Sequence, residues 1–293
     1  MATDRNPRFI SVAVLQPELR PEAFMPNLHL LRQLVERTVA DAPLDLVVLP
    51  EFFDGMLAVD RPHNHAEQSR QFLRTLAVAC NVIVVGGSIA YTDASGRRFN
   101  SCFVVDRNGH EHARYDKRVL FSREADLRVS GIATGLYAID GIRFGVLICA
   151  DLWWPELARG LLERVDCLCV PCKSTVPAEG HVEYARRLWH NLALTRAMEN
   201  GVPVVVSDWP NARHDFHVLV SGVRTTQTHY TSGATTICDP GHRPHLDRLQ
   251  RTLLKGNPGV LRTDIDLERL NTYRAYRRSV GLLPTIDAET LRR

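Results

Sequence analysis

The 293-residue sequence has none of the features that mark membrane or nucleic-acid-binding proteins. No apolar run approaches the length of a membrane span, and the stretch from Met1 to Arg8 is polar, unlike a signal peptide. The formal net charge is only +3, so no nucleic-acid or anionic membrane partner is expected. Glycine-rich phosphate-binding patterns and the Gly-x-Ser-x-Gly motif of serine α/β-hydrolases are missing as well. These absences favour a soluble protein that acts on or binds a small molecule.

The seven cysteines are odd in number, and most of them lie inside apolar runs. This placement is typical of reduced thiols in a cytoplasmic protein. The spacing Cys167-x-Cys169-x-x-Cys172 invites a metal-site interpretation, but the first two cysteines share one face of a predicted strand. No histidine or fourth cysteine follows at a zinc-site spacing. We therefore predict core cysteines and no metal, with Cys172 alone placed to line a site.

The apolar runs alternate between strand and helix periods along the whole chain, beginning with a strand at Phe9 to Leu15 and a helix to about Ala40. No low-complexity linker or change of composition divides the chain. We therefore predict one α/β domain over residues 1–293, with its core at about 9–265 and a C-terminal helix and arm over 266–293.

Three local predictions concern the middle of the chain. The residues from Val82 to Ile89 read as one strand, and those from about Trp154 to Arg164 read as a helix. The segment from Asp208 to Ser232 is polar and is predicted to be irregular, apart from an apolar run at His217 to Val220. A segment of this kind is placed to shape a pocket.

One apolar run of strand length ends in Cys149, and a helix is predicted to start just beyond it with Pro155 in the first turn. Helix N–H groups favour a thiolate, which is the nucleophilic form of cysteine. Taken alone, however, Cys149 is better explained as a buried small hydrophobe. The interpretation changes because two other charged residues also stand at the ends of apolar runs.

Those two residues are Glu51, which follows an apolar strand stopped by Pro50, and Lys117, which closes another strand. A carboxylate can take the thiol proton of Cys149 and return it to a departing amine. The thiolate can attack a carbonyl or nitrile carbon, and a lysine with the amide of Ala150 can hold the resulting oxyanion. The three side chains suffice to cleave a carbon–nitrogen bond without a metal or a cofactor.

Five segments of the chain carry a common pattern, namely Leu49–Glu51, Tyr115–Phe121, Gly145–Glu156, Trp189–Asn200 and Gly233–Pro240. In this order they resemble the segments of the nitrilase, or carbon-nitrogen hydrolase, superfamily, whose members use a Glu-Lys-Cys triad. The resemblance implies an α/β fold, a four-layer α-β-β-α sandwich, with homodimers or larger homo-oligomers. It also implies a covalent thioester intermediate on the cysteine and no cofactor.

The resemblance further implies a second active-site glutamate shortly after the lysine. Glu124 is the choice for that position, and Asp126 is the alternative. Arg196 and Glu199 lie three residues apart on one predicted helix and are expected to form a structural pair.

The residues after Cys149 bear on the substrate. Carbamoylases of the superfamily often place arginines there and nitrilases usually carry Trp-Glu, whereas this chain continues Ala150 to Trp154 with Ala-Asp-Leu-Trp-Trp. We therefore expect an amide or carbamoyl substrate with an apolar or aromatic acyl group near Trp153, and Phe52 and Cys172 are further candidates for substrate contact. A nitrilase, an amine-accepting acyltransferase, a non-catalytic binding subunit, and tryptophans that only pack the core remain as alternatives.

Overall fold

The computed structural model describes residues 8–56, 64–122, 124–162, 164–220, 223–242 and 245–283. The strands within these ranges, numbered in chain order, are β1 (Phe9–Gln16), β2 (Leu46–Val48), β3 (Ile83–Val85), β4 (Ile89–Thr92), β5 (Arg98–Val105), β6 (Glu111–Asp116), β7 (Leu136–Ile139), β8 (Ile142–Val146), β9 (Cys167–Pro171), β10 (Thr175–Val176), β11 (Val204–Ser207), β12 (Ala212–Val220), β13 (Val223–Thr231), β14 (Thr236–Cys238), β15 (Gln250–Thr252) and β16 (Gly259–Asp266).

The helices, in chain order, are α1 (Phe24–Asp41), α2 (Asn64–Cys80), α3 (Glu124–Leu127), α4 (Pro155–Arg159), α5 (Val182–Asn200), α6 (Leu246–Leu249) and α7 (Leu267–Ser279). Three long helices, α1, α2 and α5, pack on the faces of the sheets. Short 3₁₀ turns lie at Cys149–Trp153, Glu179–His181, Pro240–His242 and Leu254–Gly256.

Two sheets form the centre of the fold. The first has the strand order β16-β1-β2-β3-β5-β4, with β6 paired to β5, and the second has the order β15-β14-β11-β9-β8-β7. In each sheet the three central strands are parallel, namely β1, β2 and β3 in the first and β8, β9 and β11 in the second. Parallel strands of this kind are buried on both faces, which explains their nearly continuous apolar sequences.

The side chains of β1 show how the layers are stacked. Ile10, Val12 and Val14 join the core that also holds the strands of the second sheet, whereas Ala13 and Leu15 join a separate core with α1 and α2. On the far side, Trp189, Ala193 and Ala197 of α5 pack on the second sheet. The layers therefore follow the order helix, sheet, sheet, helix, and the predicted α-β-β-α sandwich is confirmed.

The prediction for the segment from Asp208 to Ser232 was wrong. Most of it is a long antiparallel hairpin, in which Ala212 of β12 pairs with Thr231 of β13, and β10 adds a short third strand. Threonine is common in strands because its branched side chain suits a pleated surface. The hairpin was missed because its sequence shows little apolar alternation, the main signal of a strand.

The predicted strand from Val82 to Ile89 is divided into β3 and β4 by a turn at Gly86 to Ser88. Gly87 has φ +55°, and a Cβ atom there would lie 2.1 Å from the carbonyl oxygen of Pro50. The turn needs a glycine because the chain must pass directly behind the residue before Glu51. The helix predicted to reach Arg164 is also shorter, because α4 ends at Arg159 before Gly160.

The C-terminal helix begins as predicted at Asp266, whose side chain accepts hydrogen bonds from the backbone N–H groups of Glu268 and Arg269. Residues 284–293 of the predicted arm lie outside the described residues. None of the helices in the described ranges is long and apolar enough to cross a membrane.

Candidate active site

The three candidate catalytic side chains come from two different sheets. Glu51 follows the end of β2, and Lys117 follows the end of β6, both in the first sheet. Cys149 follows the end of β8 in the second sheet. The fold brings the ends of these strands together where the sheets face each other, so residues nearly 100 positions apart form one cluster.

Lys117 lies between two carboxylates. Its Nζ donates hydrogen bonds to Glu51 Oε1 at 2.8 Å and to Glu124 Oε2 at 2.7 Å. The side chain of Lys117 is only 2% exposed, that of Glu51 3% and that of Glu124 13%. The structure thus places Glu124 beside the lysine, as the resemblance implied, whereas Asp126 is exposed on α3. Charges buried in this way are stabilised only by their partners.

The electrostatics of this group follow from the same contacts. Burial alone would lower the pKa of Lys117, but the charges of Glu51, Cys149 and Glu124 together outweigh it and hold the pKa above its usual range. Burial raises and Lys117 lowers the pKa of Glu124, and the net effect is a lowered pKa. Lys117 therefore stays a cation and Glu124 an anion at neutral pH.

The two oxygens of Glu51 are in different surroundings. Oε1 accepts from Lys117 and also from Asn100 Nδ2, at 2.8 Å each. Oε2 accepts no hydrogen bond from any side chain or backbone group of the described residues. Asn100 also donates to Glu124 Oε1 at 3.0 Å and so connects both carboxylates. One oxygen of Glu51 is held in place, and the other is left to take a proton.

Cys149 lies in a backbone conformation that non-glycine residues rarely adopt, with φ +47°. It is 8% exposed and begins the 3₁₀ turn Cys149–Trp153. Ala150 is the next residue of that turn, and the first N–H groups of a helical turn have no acceptor within it. The amide of Ala150 is therefore suited to hold an oxyanion formed at the thiol. Strained backbone of this kind is common at active sites.

Asp151 connects two segments, the turn that contains Cys149 and the loop that follows Lys117. Its Oδ1 accepts from the backbone N–H groups of Arg118 and Val119, at 3.0 and 2.7 Å. Its Oδ2 accepts from the Tyr115 hydroxyl at 2.8 Å and from Ile148 N at 2.9 Å. A single fully buried carboxylate thus satisfies four donors from both sheets.

Replacing Asp151 with asparagine is expected to reduce the free energy of unfolding by about 2 kcal/mol, because the new amide group would face two buried donors. Burial raises the pKa of Asp151, so removing its charge offsets part of the loss. We also expect kcat to fall by about tenfold to a hundredfold, since a small displacement of a reacting group is costly. Urea unfolding and steady-state kinetics measure both effects.

The matched control for this prediction is Asp247→Asn, because Asp247 is exposed at the start of α6. The control is expected to change neither quantity. Equal stability and activity of Asp151→Asn and the native protein would show that the carboxylate does not hold the Cys149 turn.

Phe52 and Cys172, the predicted substrate contacts, both lie beside the cluster. Cys172 Sγ is 3.7 Å from Cys149 Sγ, and the Cys172 carbonyl oxygen accepts from Glu51 N at 3.2 Å. Phe52 has φ +52°, and its ring lies 5.1 Å from the guanidinium carbon of Arg128. Arg128 in turn lies 3.5 Å from Glu124 Oε1. Both residues are therefore brought to the site, and contact with substrate stays a prediction.

Trp153 ends the turn that begins at Cys149, and its contact with substrate stays a prediction. Its ring packs edge-on against Trp189, with ring centres 6.0 Å apart, and the residue is 46% exposed. Arg196 donates to the backbone oxygens of Leu152 and Trp153 and pairs with Glu199 at 3.1 Å, which confirms the predicted structural pair. Arg196 thus satisfies the last carbonyl groups of the Cys149 turn.

Sequence reasoning missed three buried residues of the site: Asn100, Asp208 and Trp209. Asp208 accepts from the backbone N–H groups of Ser174 and Ala234, and burial raises its pKa to about 6. Trp209 Nε1 donates to the Glu51 carbonyl oxygen at 2.7 Å. The available signal was a polar residue inside or directly after an apolar strand, since buried polar groups need partners.

Comparison with known proteins places this chain in a family. The family model described as carbon-nitrogen hydrolase matches residues 11–275. Omega-amidase Nit3 of Saccharomyces cerevisiae is 29% identical over 231 residues, which cover 71% of this chain and 77% of the yeast protein. A hydrolase in the agr operon of Staphylococcus aureus is 30% identical over 177 residues, or 56% of this chain, and the match spans 64% of that protein, slightly less than two thirds.

A solved structure shares the fold. The crystal structure of Saccharomyces cerevisiae Nit3, a member of branch 10 of the nitrilase superfamily, superposes with a TM-score of 0.75 at 23% sequence identity. The superposition covers 95% of this chain and 96% of the yeast chain. Because the family model spans most of the sequence, this protein belongs to the carbon-nitrogen hydrolase family.

Proposed function

We propose that this protein is an amidase that hydrolyses a small amide through a thioester on Cys149. The observation that carries the proposal is the arrangement around Lys117, which holds Oε1 of Glu51 while Oε2 has no partner in the described part of the chain. Membership of the hydrolase family and the likeness to a yeast omega-amidase support it.

In the first half-reaction, Glu51 Oε2 takes the proton of the Cys149 thiol, and the sulfur attacks the amide carbonyl carbon. The carbonyl oxygen becomes an oxyanion that the Lys117 ammonium and the Ala150 N–H stabilise. The tetrahedral intermediate then collapses, and Glu51 returns its proton to the departing nitrogen. Ammonia or an amine leaves, and the acyl group stays on sulfur.

In the second half-reaction, Glu51 takes a proton from water, and the hydroxide attacks the thioester. Collapse of this second intermediate releases the carboxylic acid and restores the thiol. Glu124 and Asn100 act as positioning residues, because Glu124 accepts a hydrogen bond from Lys117 and Asn100 donates to both Glu51 and Glu124. The attacking water takes the position that the departing nitrogen leaves, so Glu51 can transfer the proton in both half-reactions.

An amide fits better than a nitrile for two reasons. The residues that follow Cys149 are Ala150 and Asp151, rather than the Trp-Glu that nitrilases usually carry. Asp151 is also fully occupied with four structural donors, so it has no role left in the chemistry.

The test is to measure ammonia and acid release from a panel of short amides, carbamoyl compounds and nitriles. We expect turnover of amides, and mass spectrometry of protein quenched in acid during turnover and then digested is expected to find an acyl adduct on the peptide that contains Cys149. Product analysis with an added ordinary amine, such as methylamine, separates hydrolysis from acyl transfer, because a transferase would form mainly the new amide and a hydrolase mainly the acid. Turnover of nitriles alone, or no acyl adduct during turnover, would contradict the proposal.

A further inference from the structure

Two free thiols are in contact at the candidate active site. The Sγ atoms of Cys149 and Cys172 lie 3.7 Å apart, and both cysteines are unbridged. The sulfurs of a disulfide are about 2.05 Å apart, so a bond between these two requires them to approach by about 1.7 Å. Rotation of the two side chains is the simplest movement that brings them together.

The backbone places these two cysteines side by side. They follow the parallel strands β8 and β9, in which Val146 pairs with Cys169, and each stands three residues beyond that pair. Neighbouring strands lie about 4.8 Å apart, which is within the range of Cα separations found in disulfides, about 4.4–6.8 Å. Cys172 is also held to the next strand, because its N–H donates to the Ser207 carbonyl oxygen at 2.7 Å. The strand ends therefore present the two residues at a separation that a disulfide can span.

The two thiols differ in access and in reactivity. Cys149 is 8% exposed, whereas Cys172 is fully buried. Burial lowers the pKa of Lys117, but the charges of Glu51 and Cys149 raise it, so the lysine and the Cys149 thiolate stabilise each other. The thiolate is the form of cysteine that reacts with oxidants. Burial and the neighbouring Cys149 raise the pKa of Cys172, which stays a neutral thiol. An oxidant therefore reacts with Cys149 first.

We propose that Cys149 and Cys172 form an oxidative modification site, at which hydrogen peroxide joins their sulfurs in a disulfide that a dithiol can reduce again. In the first step the Cys149 thiolate attacks one oxygen of the peroxide, the O–O bond breaks, and hydroxide leaves. In the second step the Cys172 sulfur attacks the sulfenic acid, the S–O bond breaks, and the thiol proton leaves with the hydroxide as water. The two sulfurs lose two electrons in total, and the peroxide becomes two molecules of water.

The disulfide would remove the nucleophile of the proposed amidase and keep it in a recoverable form. A sulfenic acid without a nearby thiol is oxidised further to sulfinic acid, which dithiols do not reduce. Because Cys172 is already in contact with Cys149, its attack is intramolecular and competes well with a second molecule of peroxide. The loss of activity rests on the proposed function, whereas formation of the disulfide does not.

Cys80 offers a matched control. It lies at the end of α2 and is 9% exposed, close to the value for Cys149. It belongs to the core that contains α1 and α2, whereas Cys149 and Cys172 belong to the core between the sheets. Removing Cys80 therefore removes a thiol of similar exposure without changing the pair at the site.

The experiment exposes the purified native protein to hydrogen peroxide, removes the peroxide with catalase, blocks the remaining thiols with iodoacetamide and digests with trypsin without reduction. Cleavage after arginine and lysine puts Cys149 in peptide 144–159 and Cys172 in peptide 165–173. We expect the two peptides to be joined, and fragmentation to place the bond at Cys172 rather than at Cys167 or Cys169. Amide hydrolysis is expected to fall by at least about tenfold, and dithiothreitol is expected to restore most of it.

The variants separate the disulfide from simple oxidation of the nucleophile, and each is compared with its own untreated sample. Peroxide is expected to inactivate Cys172→Ala as well, but the activity that dithiothreitol restores should be at least about fivefold lower than in the native protein, because Cys149 proceeds to sulfinic acid. Cys172→Ser, which replaces only the sulfur atom, is expected to behave like Cys172→Ala. Cys80→Ala is expected to behave like the native protein.

Three results would overturn the inference: no joined peptides in the native protein, a bond from Cys149 to a different cysteine, or equal recovery of Cys172→Ala and the native protein. The mass measurement needs no substrate. Joined peptides together with a failure to hydrolyse any amide of the panel would therefore contradict the proposed function and leave the modification site standing.

Discussion

Replacing Cys149 with alanine is expected to lower kcat for amide hydrolysis by at least about 10⁴-fold, because the acyl group would have no nucleophile to attach to. The fold should survive the change. Cys149 is mostly buried, but the substitution removes one atom and keeps the backbone, so the free energy of unfolding should fall by only about 1 kcal/mol. Single-turnover kinetics and thermal unfolding of the same preparation measure the two effects.

The matched control is Cys172→Ala, which also removes a sulfur atom; the Cys172 sulfur lies 3.7 Å from that of Cys149. Cys172 is fully buried, so this variant should lose a similar amount of stability. It should nevertheless keep activity within about tenfold of the native value, because Cys172 adjoins the nucleophile but does not itself react. If Cys172→Ala were inactive and Cys149→Ala active, the assignment of the nucleophile would be wrong.

Replacing Lys117 with methionine is expected to reduce the free energy of unfolding by about 3–5 kcal/mol at neutral pH, because it leaves buried carboxylates without their cation. The carboxylates concerned are Glu51 and Glu124, both bonded to Lys117 Nζ. Activity should fall by about 10²-fold or more, since the oxyanion loses a charged partner. Urea unfolding at a series of pH values, together with kinetics, measures both.

The pH dependence of this loss has a definite sign. The folded pKa of Glu124 is lowered, so its contribution to stability is full above its unfolded pKa of about 4.3 and disappears as the pH falls through the folded value. The folded pKa of Lys117 is raised, so its contribution is full below its unfolded pKa of about 10.4 and disappears as the pH rises through the folded value. The difference between native protein and Lys117→Met should therefore be largest between these limits and shrink in acid.

Lys255→Met provides the control for removing a lysine, because Lys255 is exposed. It should change the free energy of unfolding by less than about 0.5 kcal/mol at every pH. A Lys117→Met variant as stable as this control would show that the buried carboxylates do not depend on the lysine.

The sequence was sufficient to select Glu51, Lys117 and Cys149 as one group. Glu51, Lys117 and Cys149 each follow the end of a strand, and in the structure Lys117 bonds to Glu51 while the Cys172 sulfur lies 3.7 Å from that of Cys149. Their catalytic roles stay a prediction. The position of Glu124 came from the family resemblance, because nothing in its local sequence indicates that it faces Lys117.

The connecting residues could not be predicted, because their partners are set by the way the two sheets meet. Asn100 lies inside β5, and only the fold brings its amide to Glu51 and Glu124. Asp151 satisfies donors from two separate loops, which no local pattern reveals. The division between β3 and β4 likewise depends on the approach of Gly87 to the Pro50 carbonyl. The periodicity of apolar residues predicts local helices and strands, but it does not predict contacts between residues that are far apart in the sequence.

The pairing of β1 with β16 has a consequence for biosynthesis. Phe9 lies opposite Asp266, and the register continues to Gln16 opposite Gly259. A ribosome must therefore synthesise the chain as far as β16 before β1 gains its outer neighbour, and until then that edge offers unpaired backbone groups to other nascent chains. Pairing between two strands that are so far apart in the sequence is slow. Chaperone dependence during translation should consequently concentrate on this N-terminal edge, even though Glu51, Lys117 and Cys149 have all emerged long before the closing strand.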